Sequence, residues 1–211
     1  MTPHLLARPL AALFCLMLGG CAAIELATRE PPQLYSLTPK SSFAPDLPEV
    51  DARLTVEVPT ATGGLNTPRI AVKPNPTMLE YYAGGAWVDV LPVMVQTLLL
   101  ESLDNSGSID VLGREVVGVR ANYALLTHIR EFQAEYEGDG PPQVRVRLQA
   151  RLIQLPRRTS VSATSIEATI RADNTSLPAI VRAFDDAFGK VTKRLVEWTI
   201  QELARAGIPA T

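Results

Sequence analysis

Few side chains in this 211-residue sequence have the type and spacing that reaction chemistry needs. Its histidines are His4 and His128, and its cysteines are Cys15 and Cys21. A serine nucleophile works with a histidine base beside it. His128, however, lies in a run that predicts a β-strand, and no G-x-S-x-G turn surrounds any serine. His128 is therefore expected to be structural. A metal centre needs converging His, Cys or carboxylate ligands. The adjacent pair Asp185-Asp186 falls in a helical pattern, where neighbours point roughly 100° apart, so the two acids read as a solvated helix edge. There is no phosphate-binding loop followed by Lys, and any nucleotide energy would have to come from a partner. The residues predict no catalytic group, no metal and no cofactor, and nothing in composition or charge suggests a nucleic-acid binder.

Two clusters have the chemistry of recognition. Arg145, Arg147 and Arg151 alternate with Val144, Val146, Leu148, Ala150 and Leu152, so a strand would carry the guanidinium groups on one face and the apolar residues on the other. That face would suit acidic partner residues or phospholipid head groups, to which Arg can donate in pairs. It would equally suit ion pairs with Glu131, Glu135 and Glu167 on neighbouring strands. Tyr81, Tyr82 and Trp87 flank Gly84-Gly85. Exposed, these rings would suit a protein or lipid interface; buried, they would close the end of a sheet.

Cys21 has the most specific surroundings. Residues 1–20 carry His4 and Arg8, an apolar run from Leu10 to Leu18, and the small pair Gly19-Gly20. This is the layout of a secretory signal peptide, and its apolar run is too short to span a bilayer. The tetrad Leu18-Gly19-Gly20-Cys21 resembles the lipobox of bacterial lipoproteins. That resemblance implies removal of residues 1–20, a diacylglycerol thioether on Cys21, and an acyl chain on its freed amine. Several chains together anchor a protein stably where one is marginal, since each buried methylene contributes about 0.8 kcal/mol. Ala22 in place of Asp favours, by resemblance to envelope sorting rules, the outer membrane over the inner. Loss of the leader removes Arg8 alone among the charged residues, taking the formal charge from −2 to −3. With Cys15 lost and Cys21 acylated, no intramolecular disulfide is expected.

The remaining residues, about 190, are enough for one core. Residues 21–32 are expected to be a lipidated N-terminus and tether ending in Glu30-Pro31-Pro32, with a single domain over 33–211. Fully extended, the tether reaches about 35 to 40 Å. Short strands are expected at Gln33–Thr38, Arg53–Val58 and Met78–Ala83, the last closed by Gly84-Gly85 before Trp87 opens a new element. A short apolar run also covers Arg69–Lys73. A helix is predicted from Asp89 to Asn105, with Asp89 as N-cap and Pro92 in the first turn. Long strands are expected at Asn122–Tyr136, Gln143–Leu155 and Thr159–Ala172, as an antiparallel meander. Ile180, Phe184, Phe188, Val191, Leu195 and Trp198 draw the stripe of a last helix from Ser176 to near Gly207. These elements predict an α+β fold: an antiparallel β-sheet with two long helices packed on one face, a two-layer sandwich.

The runs Arg69-Ile70-Ala71-Val72, Leu79-Glu80-Tyr81-Tyr82, Trp87-Val88-Asp89, Leu91-Pro92 and Gln96, with Gly107 and Val111, resemble the ABC-type transport auxiliary lipoprotein family. Tyr35-Ser36-Leu37 and Ala183-Phe184-Asp185-Asp186-Ala187-Phe188 before Trp198 fit the same pattern. The match is spread over packing residues and carries no catalytic signature. It implies a periplasm-facing, noncatalytic lipoprotein working with an MCE-domain protein and an ABC permease and ATPase in lipid traffic between envelope membranes. A structural lipoprotein supporting an outer-membrane or cell-wall assembly is the alternative from a different class. Direct phospholipid binding and a homo-oligomer both stay open.

Overall fold

Eleven elements build the computed structural model, which describes residues 31–112 and 120–207. In chain order they are β1 (Gln33–Tyr35), β2 (Val50–Val56), β3 (Thr60–Ala61), β4 (Arg69–Asn75), β5 (Met78–Trp87), α1 (Leu91–Asp104), β6 (Ile109–Leu112), β7 (Tyr123–Glu135), β8 (Gln143–Gln154), β9 (Thr159–Arg171) and α2 (Leu177–Gly207). The leader, Cys21 and the tether as far as residue 30 lie outside the described residues. Residues Gln33–Thr211 group into one compact unit.

The meander forms where alternation predicts it, with β8 antiparallel to β7 on one side and to β9 on the other. Val144, Val146, Leu148 and Leu152 are fully buried and Ala150 nearly so, because the alternate side chains of β8 all turn toward the helices. Strand β7 is the axis of the sheet. One edge pairs with β8 along nearly its whole length, and the other is shared by three short parallel partners: β2 at Tyr123–Leu125, β3 at His128–Ile129 and β4 at Ala134–Glu135. The α+β class with two helices is as expected, but the nine-stranded sheet is mixed where an antiparallel one was predicted. The reason lies in the connections. β2, β3 and β4 reach β7 through the intervening α1 and β5, and a crossover of that length permits a parallel return.

The predicted break at Gly84-Gly85 is not a break: both glycines lie inside β5, and Trp87 ends that strand. Gly84 takes φ +75°, which a side chain disfavours. Gly85 pairs with Gln33 of β1, and a Cβ there would collide with the Leu177 side chain and stand 3.0 Å from Cε2 of Tyr35. The pair thus lets β1 lie flush on β5, a need that turn propensity alone does not reveal. β3 and β6 were not anticipated. Two and four residues are too short for periodicity to register, and pairing with longer neighbours holds them in place.

Helix α1 starts later than predicted, with Val90 at the N-cap and no side-chain cap; Asp89 Oδ1 accepts instead from the Val90 N–H at 2.7 Å. Its buried face includes Met94, Val95, Leu98, Leu99 and Leu103. The stripe of α2 is buried as its spacing requires, with Ile180, Phe184, Phe188 and Val191 at 0% exposure and Trp198 half-buried. Both helices touch β2 and each other, so they share one face of the sheet. At the centre, Trp87 meets Phe132 and Phe184 edge-on at 5.9 and 5.2 Å, while Phe132 stacks on Phe184 at 5.3 Å. Edge-to-face and stacked pairs add about 0.5–1.5 kcal/mol each beyond the area they bury.

Candidate functional site

Side chains alternating with the core positions of β7, β8 and β9 form the face of the sheet opposite the helices, and they divide it into two halves. In one half Arg145 donates to Glu135 at 3.1 Å and to Glu167 at 2.8 Å, and Arg147 pairs with Glu131 at 3.1 Å and Glu167 at 2.6 Å. The register causes this: Arg147 lies directly between Glu131 and Glu167, and Arg145 is one diagonal step from Glu135 and Glu167. Burial is the largest single influence on the Arg145 guanidinium and opposes its charge, but Glu135, Glu167 and Glu131 together outweigh it and hold the group above the ordinary arginine range. Two guanidiniums shared among three carboxylates leave no positive charge to offer a ligand.

The other half is different. Two adjacent cross-strand rows, His128–Gln149–Ser165 and Leu126–Arg151–Ala163, floor a cavity of about 570 Å³. Small side chains at 163 and 165 leave the depth, while Glu57, Val58 and Thr60, in and before β3, raise the wall beyond β7. Arg151 has no ion pair or hydrogen bond among the described residues, although its strand-mates Arg145 and Arg147 have two ion pairs each. Gln149 Oε1 accepts from Arg130 Nε at 2.8 Å, which turns its amide NH₂ away from that bond. His128 Nδ1 lies 2.8 Å from the Thr60 hydroxyl, leaving Nε2 as its other polar atom. Glu57, the one acid lining the cavity among the described residues, is 3.4 Å from Arg158.

The remaining sequence candidates part company. Trp87, at 2% exposure, belongs to the core and not to an interface, because its ring packs edge-on against both members of the stacked Phe132–Phe184 pair. Tyr81 is half-buried; its hydroxyl donates to the Gly64 carbonyl at 3.0 Å, and the Arg69 guanidinium sits 3.7 Å above its ring. Tyr82 donates to the Tyr136 hydroxyl at 3.4 Å, and burial first, then that neighbour, pushes its phenol far above its ordinary value. Asp185 is more than a solvated edge. Its carboxylate accepts the Thr38 N–H at 2.6 Å and the Thr38 hydroxyl at 3.1 Å, pinning the chain after β1 to α2. Sequence reading singled out Arg151 but missed Gln149, Val58 and Ser165. Alternation assigns a face to each residue, but not its neighbours across the strands.

Among the described residues no group of three or more His, Cys, Asp or Glu could hold a metal, and no helix is long and apolar enough to cross a membrane.

The family model for the ABC-type transport auxiliary lipoprotein component matches residues 35–196. The chain belongs to that family. This auxiliary lipoprotein is 29% identical over 187 residues to an uncharacterised protein of Bradyrhizobium diazoefficiens, covering 87% of this chain. The chain spans about half, 47%, of the length of that curated relative. A crystal structure of a Xanthomonas campestris protein, described under family model DUF330, is 27% identical with a TM-score of 0.77 over 82% of this chain and 98% of the other. A second crystal structure, of an uncharacterised protein, has a TM-score of 0.63 at 12% identity over 81% and 99% of the two chains, a likeness of fold alone. Membership associates the chain with ABC-type transport as an auxiliary lipoprotein component.

Proposed function

We propose that this chain is the noncatalytic lipoprotein subunit of an MCE-type ABC transport system that moves lipid between envelope membranes. The family match over residues 35–196 is the observation that carries the reading. The domain is consistent with it: a rigid two-layer body, one face sealed by helices and the other free to meet partners. In this reading Cys21, carrying a diacylglycerol and an N-acyl chain, holds the domain at the periplasmic face of the outer membrane. The tether to Pro32 gives it reach, and an MCE-domain protein with an ABC permease and ATPase supplies energy and path. Protein contact is assigned to the β4–β5 hairpin, which exposes Met78 (45%) and Leu79 (38%) beside the Arg69–Tyr81 stack.

Crosslinking in intact envelopes, followed by identification of the captured proteins, tests the assignment. Recovery of an MCE-domain protein and a transport ATPase is expected. Recovery of an outer-membrane or cell-wall assembly without either would replace this reading with that of a structural lipoprotein.

A further inference from the structure

We propose that the cavity on the open face of the sheet binds an anionic amphiphile, with its oxyanion head on Arg151, Gln149 and His128 and its apolar part along Val58, Leu126 and Ala163. This inference stands on the cavity alone and does not depend on the transporter partnership.

The head is set by an imbalance of donors. Arg151 presents a guanidinium with no carboxylate against it, four residues along the strand from Arg147, in whose half of the face three glutamates neutralise two arginines. Arginine only donates, so the atom of Gln149 that meets Arg130 is its oxygen, and the amide nitrogen is left as a donor. When the Thr60 hydroxyl donates to His128 Nδ1, the imidazole proton resides on Nε2, a third donor. Glu57, the acid at the rim, faces Arg158 and is the site's weak repulsive element. Three donors line a space whose one carboxylate among the described residues, Glu57, already faces Arg158; such a surplus of donors suits an oxyanion, and a guanidinium binds phosphate and carboxylate alike.

The tail is set by shape. Arg151 is paired across the sheet with Leu126 on one side and Ala163 on the other, so its charge sits between apolar neighbours instead of among polar ones. Val58, 48% exposed, continues that surface up the wall. A free inorganic anion would use the donors and leave these groups wet; an ion with an apolar substituent covers both. The volume of about 570 Å³ lies in the range of small-molecule sites.

The test uses the full chain labelled with ¹⁵N-histidine in dodecyl maltoside micelles, because the sequence has only one other histidine, His4, whose signal is identified by its loss in His4→Gln. It is titrated separately with dihexanoyl-phosphatidylglycerol, decanoate and inorganic phosphate at fixed micelle concentration. A saturable shift of the His128 ring signal with either amphiphile is expected. Saturation by the first alone identifies a phosphodiester head, and by the second alone a carboxylate. Arg151→Gln should weaken binding at least ten-fold, and Ala163→Trp, which fills the floor, should abolish the shift. Arg157→Gln, at the turn beyond the cavity, should change it less than two-fold. Three results would overturn the proposal: no saturable shift with either amphiphile, equal affinity in Arg151→Gln and the parent, or inorganic phosphate binding as tightly as the amphiphiles.

Discussion

Arg145, Arg147 and Arg151 occupy equivalent positions of one alternating strand, yet the first two sit in a network of glutamates and the third does not. Two of them share Glu167, whose side chain is 34% exposed. Pairs this open to water contribute little, so Glu167→Gln should cost about 1 kcal/mol or less. Thermal melts in low and high salt check this, and the difference between variant and parent should shrink as salt screens the pairs. Tyr82 offers a sharper signature. Its phenol is held above the ordinary value of about 10, so the folded state keeps a proton that the unfolded chain releases as pH rises past that point. The stabilisation from this group is whole below pH 10 and declines above it. Tyr82→Phe should flatten the alkaline limb of stability against pH, as read by urea unfolding at pH 8 to 11. Cys21→Ala should abolish incorporation of radiolabelled fatty acid and leave the protein as precursor or released from the membrane. Unchanged labelling would refute acylation at that residue.

At the scale of elements, β1 is a slight attachment, three residues held by parallel pairing to β5 and by Asp185 gripping Thr38. Gly85→Ala places a methyl group against Leu177 and Tyr35 and should destabilise the protein by about 1–3 kcal/mol. Hydrogen exchange should rise first at Gln33–Tyr35, and an even loss of protection across the sheet would contradict this account. The long elements behave otherwise. Phe184→Ala opens a hole where Trp87, Phe132 and Phe184 meet, and a loss of about 3–5 kcal/mol is expected from denaturant unfolding. The core is shared by α2, β5 and β7, so this loss should appear as one cooperative transition.

For the molecule as a whole, the division of the sheet into a helix-covered face and an open one determines what it can do. The covered face supplies stability. The open face pairs a self-neutralised half with a half that keeps an unsatisfied positive charge over a cavity. An auxiliary component of a transport system can act through surfaces of this sort.

Much of this was legible in the amino-acid sequence because it depends on local periodicity. The three strands of the meander end within two residues of their predicted limits, and the stripe from Ile180 to Leu195 is buried as drawn, since alternation and helical spacing record which side chains must leave water. The expectation of a lipid anchor at Cys21 also rests on a short local motif, and that residue lies outside the described residues. What tertiary structure decided was adjacency. The parallel insertion of β2, β3 and β4 along β7, the place of Trp87 in the core, and the separate fates of Arg147 and Arg151 all depend on strand register. Register is set by the simultaneous burial of one face of every strand, so no segment contains it alone.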